Sequence, residues 1–348
     1  MTIPEKRPTQ ADIARLAGVH RTTVCMALKN FPNIPESTRK RIREIAEKIG
    51  YAPDPMLSAL AAYRNRLRPR AFQGTLAWLV NDFSPFSWKK IAAFVQYFKG
   101  ASQQASVHGF NLEVFNLGDT GMPPDRLAGI FRSRNIRGIL VCPQPQPNMK
   151  LEFPWEEFSS VTFGYTLASP RLHCVTTSHY RATLQAMEEM YALGYKRIGF
   201  MMTKVHDQRI LHTCLSGYLA DTHIRFPTQR KIPPLILENE GDAEGLLRWY
   251  RKYSPDAILI GAGLDLLARK AKLDVPREVG IACCSLPHNY TPSVSGVQEN
   301  PFHVGEVAAN QVVAMIQRGE TGVPRLCQQI LVETEWNCGK TLRRLKVR

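Results

Sequence analysis

The sequence predicts an α/β protein with an N-terminal all-α helix-turn-helix domain and a two-lobed α/β core. Three observations support this fold class. The first fifty residues contain three short amphipathic patterns that are separated by turn residues. From residue 71 onward, short apolar runs alternate with amphipathic stretches, which is typical of parallel sheets covered by helices. This alternating series occurs twice, so we expect two lobes.

The composition restricts the class of protein. The chain has 348 residues, 44% of them hydrophobic, which is enough for two or three globular domains and argues against general disorder. No apolar run reaches the roughly 18 residues of a membrane helix, and the polar N-terminus has no signal-peptide pattern. The eight cysteines form no C-x-x-C pair. We therefore expect a cytoplasmic protein with free thiols, no metal site and no membrane partner.

The positive charge is concentrated at the N-terminus. Lys and Arg number 45 against 30 Asp and Glu, a net charge of +15. Residues 1–70 hold 14 of these bases and six of the acids, so one fifth of the chain carries about half of the excess. A basic region this local fits a polyanion such as nucleic acid. The solvated surface of a basic protein is the alternative interpretation.

The three N-terminal helices have recognisable ends. Thr9 followed by Asp12 is the pattern of an N-cap with an acidic third residue, and Gly18 suits the turn that ends this helix. The second and third helices are predicted at residues 21–28 and 36–49. Two short helices joined by a glycine-containing turn and closed by a third indicate a helix-turn-helix, whose second helix fits the major groove of DNA.

Residues 51–70 are predicted to form a hinge helix and a basic linker. Asp54 suits an N-cap and Pro55 the first helical position. A helix of about two turns is marginal in water, so it must dock on a second copy or in a DNA groove. Two roles stay open for the arginines that follow, phosphate contact or a solvated tether (Arg64, Arg66, Arg68 and Arg70).

The core alternates predicted strands and helices. In the first series, strands at 75–80, 111–115, 138–142 and 161–164 alternate with helices at 88–107 and 125–133. In the second, strands at 197–201, 234–237, 256–260 and 279–284 alternate with helices at 181–193, 211–219, 244–252 and 265–272. Ligands of such sheets bind beyond the carboxyl ends of the strands, so the cleft between the lobes is the expected pocket.

Four N-terminal segments follow one another in a characteristic order and spacing. They are Thr9-Gln-Ala-Asp-Ile-Ala-Arg-Leu-Ala-Gly-Val-His-Arg-Thr-Thr-Val, Leu28-Lys-Asn, Pro35-Glu-Ser-Thr-Arg-Lys-Arg-Ile and Gly50-Tyr-Ala-Pro-Asp. This pattern resembles the lactose-repressor (LacI/GalR) family of bacterial transcription regulators. More loosely, Leu193-Gly-Tyr-Lys-Arg-Ile-Gly-Phe and Asp274-Val-Pro-Arg-Glu-Val-Gly-Ile are similar to the family's periplasmic-binding-protein-like core. The resemblance implies a DNA-binding headpiece at 1–50, the hinge and linker at 51–70, and an effector-binding and dimerisation core at 71–348.

The same resemblance implies DNA contacts for nine residues. Arg21, Thr22 and Met26 occupy base-reading positions, and Leu60 occupies the position of a leucine that wedges into the minor groove. An ordinary leucine of the dimer interface is the alternative for Leu60. Methionine cannot make a bidentate contact with guanine, so we expect the operator to depart from the common half-site there. The other positions are those at which relatives contact phosphates (Thr9, His20, Thr23, Cys25 and Asn30).

The resemblance is weakest where relatives bind effectors. Positions that carry charged or amide side chains in relatives hold Ser178, Cys214, Ala262-Gly263 and Ser285 here. Because those groups grip sugar hydroxyls, the cleft is expected either to take a different, more apolar ligand or to have lost effector control. The candidate lining residues are Phe83, Phe86, Gln144, Tyr165, His206, Asp207, Asp265 and Ser285.

Together these arguments predict a sequence-specific transcriptional regulator that binds a palindromic DNA operator as a homodimer, with repression as the expected sign. A small-molecule effector, where one exists, would act through the cleft. A solute-binding receptor would use the same core but would need export and has no use for a basic headpiece. An enzyme would need a catalytic motif, and the sequence has no G-x-S-x-G, Walker-type loop, H-E-x-x-H or G-x-G-x-x-G. No cofactor is expected.

Overall fold

The computed structural model describes seven segments of the chain, namely residues 8–28, 34–51, 72–83, 86–118, 122–228, 230–286 and 293–345. The predicted hinge helix with Leu60 and the basic linker lie outside these segments, and so does Asn30. Within the segments, no helix is long and apolar enough to cross a membrane. No group of three or more His, Cys, Asp or Glu in these segments could hold a metal ion.

Three helices form a small N-terminal bundle, the headpiece: α1 (Gln10–Ala17), α2 (Arg21–Leu28) and α3 (Glu36–Lys48). Thr9 begins α1 as predicted, because both its backbone N–H (2.9 Å) and its hydroxyl (2.7 Å) donate to Asp12. Gly18 ends α1 with a φ of 61°, which a residue without Cβ adopts readily. The apolar faces of the three helices meet in a fully buried core (Ile13, Val24, Ala27 and Ile42).

The remainder of the chain forms strands and helices in alternation. The strands of the described core are β1 (Gly74–Val80), β2 (Phe110–Asn116), β3 (Gly138–Val141), β4 (Met149–Lys150), β5 (Ser159–Phe163), β6 (Leu167–Ser169), β7 (His173–Thr177), β8 (Ile198–Thr203), β9 (Leu235–Leu237), β10 (Ala257–Ile260), β11 (Gly280–Leu286), β12 (Ser295–Gln298), β13 (Gln329–Val332) and β14 (Glu335–Asn337). The helices are α4 (Ala92–Val107), α5 (Pro124–Ser133), α6 (His179–Ala192), α7 (Lys204–Arg209), α8 (Thr213–Arg225), α9 (Ala243–Tyr253), α10 (Leu264–Lys270) and α11 (Pro301–Arg318).

Two six-stranded sheets define the two lobes. The first sheet has the order β13-β7-β5-β3-β1-β2 and is parallel throughout. The second has the order β14-β12-β11-β10-β8-β9, with only β14 antiparallel. Both faces of each sheet are covered, which explains the nearly continuous apolar strands. On β1, for example, Trp78 packs with α4 and α11, whereas Leu79 packs on the α5 side.

The chain passes between the lobes three times. It enters the second lobe at Ser178, returns through Glu299 and Asn300 to α11, and crosses again after β13 to reach β14. Helix α11 packs against α4, so it belongs to the first lobe. The two predicted series did not include β7, α11 or β13, which complete the first lobe. The cleft between the lobes is therefore bordered by three crossings of the chain.

Two predicted helices differ from those observed. The helix expected at 88–107 is a 3-10 turn at Trp88–Lys90 followed by α4. The helix expected at 211–219 begins only at Thr213, because Leu211 and His212 have φ values of 55° and 57°. Such left-handed residues cannot belong to a right-handed helix, so the chain turns there before α8 begins.

Helices α4 and α11 approach closely because each presents a glycine to the other. A Cβ on Gly100 would lie 1.9 Å from the carbonyl oxygen of Phe302. A Cβ on Gly305 would lie 2.1 Å from the carbonyl oxygen of Tyr97. Both clashes involve backbone, so no side-chain rotation relieves them and any larger residue would separate the helices.

We expect Gly305→Ala to lower the free energy of unfolding by about 1–3 kcal/mol through this overpacking. Gly129 on α5 is the matched control, since a Cβ there would meet only an Arg132 nitrogen at 3.9 Å. Gly129→Ala should leave stability unchanged or raise it by up to about 1 kcal/mol. Urea denaturation at one protein concentration measures both variants. Wild-type stability of Gly305→Ala would contradict the close helix contact.

Candidate functional site

The start of α2 forms an exposed polar edge of the headpiece. Arg21 and Thr22 are exposed to solvent. The next candidate residues are half-buried (Thr23, Cys25 and Met26), and Met26 also packs against the headpiece core. A helix that enters the major groove meets base edges with its N-terminal side chains. The exposed edge of α2 has this arrangement.

Two of the predicted phosphate contacts also have local hydrogen-bond partners. The backbone N–H of Thr22 donates to Nδ1 of His20 at 3.3 Å, and the Thr22 hydroxyl lies 3.0 Å from the same nitrogen. His20 therefore caps the start of α2, as Thr9 does for α1 through Asp12. Both residues lie at helix N-termini, where backbone N–H groups favour phosphate.

The inter-lobe cleft contains a cavity of about 490 Å³. It lies beyond the carboxyl ends of strands from both sheets, where parallel sheets bind ligands, and its volume is within the range of small-molecule sites. Its first-lobe wall is aromatic: Tyr97 stacks on Phe163 with centroids 5.0 Å apart and on Phe94 at 6.1 Å. Its second-lobe wall and the crossings supply ionisable groups (His179, His206, Arg209 and Glu299).

A buried ion pair lies in this lining. Oε1 of Glu299 lies 3.2 Å from Nε2 of His179 and accepts a 2.6 Å hydrogen bond from the Ser285 hydroxyl. The side chains of the pair are only 9% and 12% exposed. Burial by itself disfavours both charges, but the hydrogen bond and opposite charge prevail. The pKa of His179 is raised above 6.5 and that of Glu299 is lowered below 4.5.

Helix α7 contributes two further ionisable groups. Burial lowers the pKa of His206 to about 4, so its ring is neutral at neutral pH. Arg209 reaches across to the first lobe, where its Nη1 donates to the carbonyl oxygens of Gln144 at 3.0 Å and Pro145 at 2.9 Å. Its guanidinium lies 5.6 Å from the centre of the Phe94 ring. Burial lowers the pKa of Arg209 as well, but an arginine keeps its charge.

Three of the eight predicted cleft residues line the cavity, namely Tyr165, His206 and Ser285. Gln144 lies beside the lining and hydrogen-bonds the Thr166 hydroxyl (2.7 Å) through its backbone N–H. Its side chain donates to the carbonyl oxygen of Cys142 at 2.9 Å. Gln144 thus fixes the chain after β3, and its carbonyl group receives Arg209.

The other four predicted residues are not among those that line the cavity. Asp207 is buried and accepts a 2.6 Å hydrogen bond from His212, so it stabilises the turn between α7 and α8. Asp265 is buried in the first turn of α10. Phe83 and Phe86 pack on each other with centroids 6.4 Å apart. The structure gives these four residues local packing or hydrogen-bonding roles.

The cavity lining carries charged groups, although none of them lies at the four positions that differ from relatives. Cys214 is buried in the second-lobe core, with its Sγ 3.8 Å from the carbonyl oxygen of His179. The charges come from His179, Arg209 and Glu299. A comparison limited to the four positions that differ from relatives did not reveal these residues. One signal could have found Glu299, since it lies two residues before Pro301, and proline favours the first turn of a helix.

Comparison with known proteins identifies the family. The model "Bacterial regulatory proteins, lacI family" matches residues 9–54, and the model "Periplasmic binding protein-like domain" matches residues 187–341. The probable HTH-type transcriptional repressor ExuR of Bacillus subtilis (strain 168) is 33% identical over 353 residues, which cover 97% of this chain and 99% of that protein. The chain belongs to the LacI family of bacterial transcription regulators. It is a DNA-binding regulator and not an enzyme.

Two solved structures share the fold over nearly the whole chain. The transcriptional regulator CelR–cellobiose complex has a TM-score of 0.57 at 18% identity and covers 96% of this chain and 100% of that one. The lac repressor dimer bound to operator and the anti-inducer ONPF has a TM-score of 0.54 at 13% identity, with 97% and 99% covered. At these identities the likeness concerns the fold, and it confirms the predicted class.

We expect Glu299→Gln to lower the free energy of unfolding by about 3 kcal/mol, because His179 loses its buried counter-charge. Because the pKa of Glu299 is lowered by folding, its contribution to the free energy of unfolding is lost as the pH falls through this lowered pKa. The raised pKa of His179 means that its contribution is lost as pH rises through that value. The difference from wild type should therefore be largest between pH 4.5 and 6.5, the usual pKa values of the two groups.

The surface pair His303–Glu306 provides the control, since its nitrogen–oxygen distance is 2.9 Å but its side chains are 53% and 25% exposed. Glu306→Gln should cost less than about 1 kcal/mol. Urea denaturation of wild type and both variants from about pH 4 to about pH 9 measures the profiles. A pH-independent difference for Glu299→Gln would show that the buried pair is not charged.

Proposed function

We propose that the protein represses transcription by binding a palindromic operator as a homodimer, and that a small molecule in the cleft cavity controls this binding. The observation that carries the proposal is the presence, in one chain, of the exposed α2 edge and the inter-lobe cavity of about 490 Å³. The α2 edge contacts DNA bases. A ligand in the cavity changes the arrangement of the two lobes of the core.

Dimerisation follows from the size of the reading helix. A single α2 of eight residues can contact only a few base pairs. Two copies related by twofold symmetry read two half-sites, which multiplies specificity. The lac repressor, which shares this fold, was solved as a dimer bound to operator, and ExuR is described as a repressor. Its DNA target gives the protein a cytoplasmic location.

The DNA-binding roles are assigned along the chain. Arg21, Thr22 and Met26 contact base edges, and Leu60 of the hinge enters the minor groove. Thr9 and His20 act at helix N-termini, where they position backbone N–H groups toward phosphates. The remaining phosphate contacts are assigned to Thr23, Cys25 and Asn30. These roles correspond to a headpiece at 1–50, a hinge and linker at 51–70, and a regulatory and dimerisation core at 71–348.

Control by a small molecule rests on the two-lobed core. The similar regulator CelR was solved with cellobiose, and the cavity of this chain combines an aromatic wall with polar groups, as sugar sites do. A ligand that binds one arrangement of the lobes more tightly shifts the population toward it. The effector therefore changes operator affinity through the hinge.

Selection from random DNA duplexes tests the DNA-binding part. Sequencing of the bound duplexes should give a palindromic consensus, and binding should weaken steeply as salt is raised, since phosphate contacts release counterions. Weak binding to all duplexes alike would contradict the proposal. Release of the selected operator by a cleft ligand would then support the regulatory part.

We expect Met26→Arg to change the consensus at one base position in each half-site, with guanine favoured there by about tenfold, because arginine can contact guanine bidentately. Glu47→Gln is the matched control: it changes the charge by the same +1 on the exposed surface of α3. The control should strengthen binding to all duplexes slightly and leave the consensus unaltered. An unchanged consensus for Met26→Arg would show that residue 26 does not contact bases.

A further inference from the structure

Arg209 is a cation in the cavity lining that has no anionic partner within the described part of the chain. Its Nη1 donates to the carbonyl oxygens of Gln144 and Pro145. Its Nε and Nη2 donate to none of the described residues, so these N–H groups remain available to a ligand in the cavity. A desolvated charge is normally paired in a folded protein, and here the protein supplies only neutral carbonyl groups.

The acids near Arg209 are engaged elsewhere or exposed. Glu299 is neutralised by His179, with which it forms the buried ion pair. Asp207 hydrogen-bonds His212, away from the cavity lining. Glu240 lines the cavity at its exposed rim, where water screens its charge.

The buried lining therefore carries one excess positive charge. The His179–Glu299 pair is neutral as a unit, and the His206 ring is uncharged at neutral pH because it is desolvated. Arg209 is the remaining charge. A ligand with a single negative charge would balance it, whereas a phosphate monoester brings nearly two negative charges.

We infer that the cavity takes a small organic acid, whose carboxylate pairs with Arg209. This inference rests on the proposed role of the cavity as the effector site. The Nε–Nη2 edge of an arginine offers two parallel N–H donors, which match the two oxygens of a carboxylate. The aromatic wall of Phe94, Tyr97 and Phe163 supplies a flat apolar surface for the carbon skeleton.

The same residue connects ligand binding to the arrangement of the lobes. Arg209 lies on α7 of the second lobe, yet it contacts Gln144, Pro145 and the Phe94 ring of the first. A carboxylate bound to this guanidinium adds a partner at the contact between the lobes. It therefore stabilises the arrangement in which Arg209 bridges them, and a neutral ligand lacks this effect.

Calorimetric titration of the full-length protein tests the inference with D-glucose, D-glucuronate and D-glucose 6-phosphate, together with the corresponding galactose compounds. Each series shares one ring and differs only in the group at C6. We expect at least one uronate to bind about tenfold or more tightly than its neutral sugar and its phosphate. Arg209→Gln should abolish this preference. Arg209→Lys keeps the charge but lacks the two parallel N–H donors, so it should retain part of the preference.

Arg251→Gln on exposed α9 is the control, since it removes the same charge outside the lining and should leave binding unchanged. Tighter binding of a neutral sugar or a phosphate would overturn the carboxylate inference while leaving the cleft as effector site. Binding of none of the six compounds would overturn both. A preference for uronate that survives Arg209→Gln, in a variant with wild-type thermal unfolding, would overturn the role of Arg209. The selection of operator duplexes tests DNA binding, so its result does not depend on any of these titrations.

Discussion

The buried ion pair between His179 and Glu299 fixes the geometry on which the cleft depends. His179 follows the first crossing between the lobes, and Glu299 lies on the second, more than a hundred residues later. Separating two buried charges leaves each without its partner and costs several kcal/mol. The third crossing is joined to the first by the backbone hydrogen bond from Ser178 to Val332 (2.9 Å). All three crossings are thus held together, and a rotation of one lobe against the other would pivot about them.

Such a rotation would change the cleft most on the side away from the crossings, and Arg209 meets the first lobe there. The bridge consists of two hydrogen bonds to carbonyl groups and one cation–π contact, each individually modest. A ligand alters operator affinity only to the extent that it prefers one lobe arrangement over the other. Coupling energies in allosteric proteins are typically about 1–3 kcal/mol, which one added ion pair at this bridge is sufficient to supply. The linked crossings therefore hold the lobes together, whereas the weaker contacts of Arg209 with the first lobe are those that a ligand can strengthen.

The headpiece could be predicted almost completely from sequence because its signals are local. Thr9, Asp12 and Gly18 mark the ends of α1 within a single segment, and the structure places each as expected. The return of the chain into the first lobe could not be predicted in the same way. Strand β13 completes the first sheet by pairing with β7, which lies about 155 residues earlier, and no local pattern records that pairing. The periodicity of the strands predicted two lobes but not how the chain connects them.

The cleft shows why a comparison limited to positions that differ from relatives gives an incomplete account of a binding site. Cys214 occupies the first turn of α8, against the carbonyl group of His179 and inside the second-lobe core. Glu299 is satisfied by His179 and Ser285. The cation of the cavity then comes from α7, five residues earlier, at the junction of the lobes. The anion is thus paired within the protein, and the guanidinium of Arg209 is the charge that remains for a ligand.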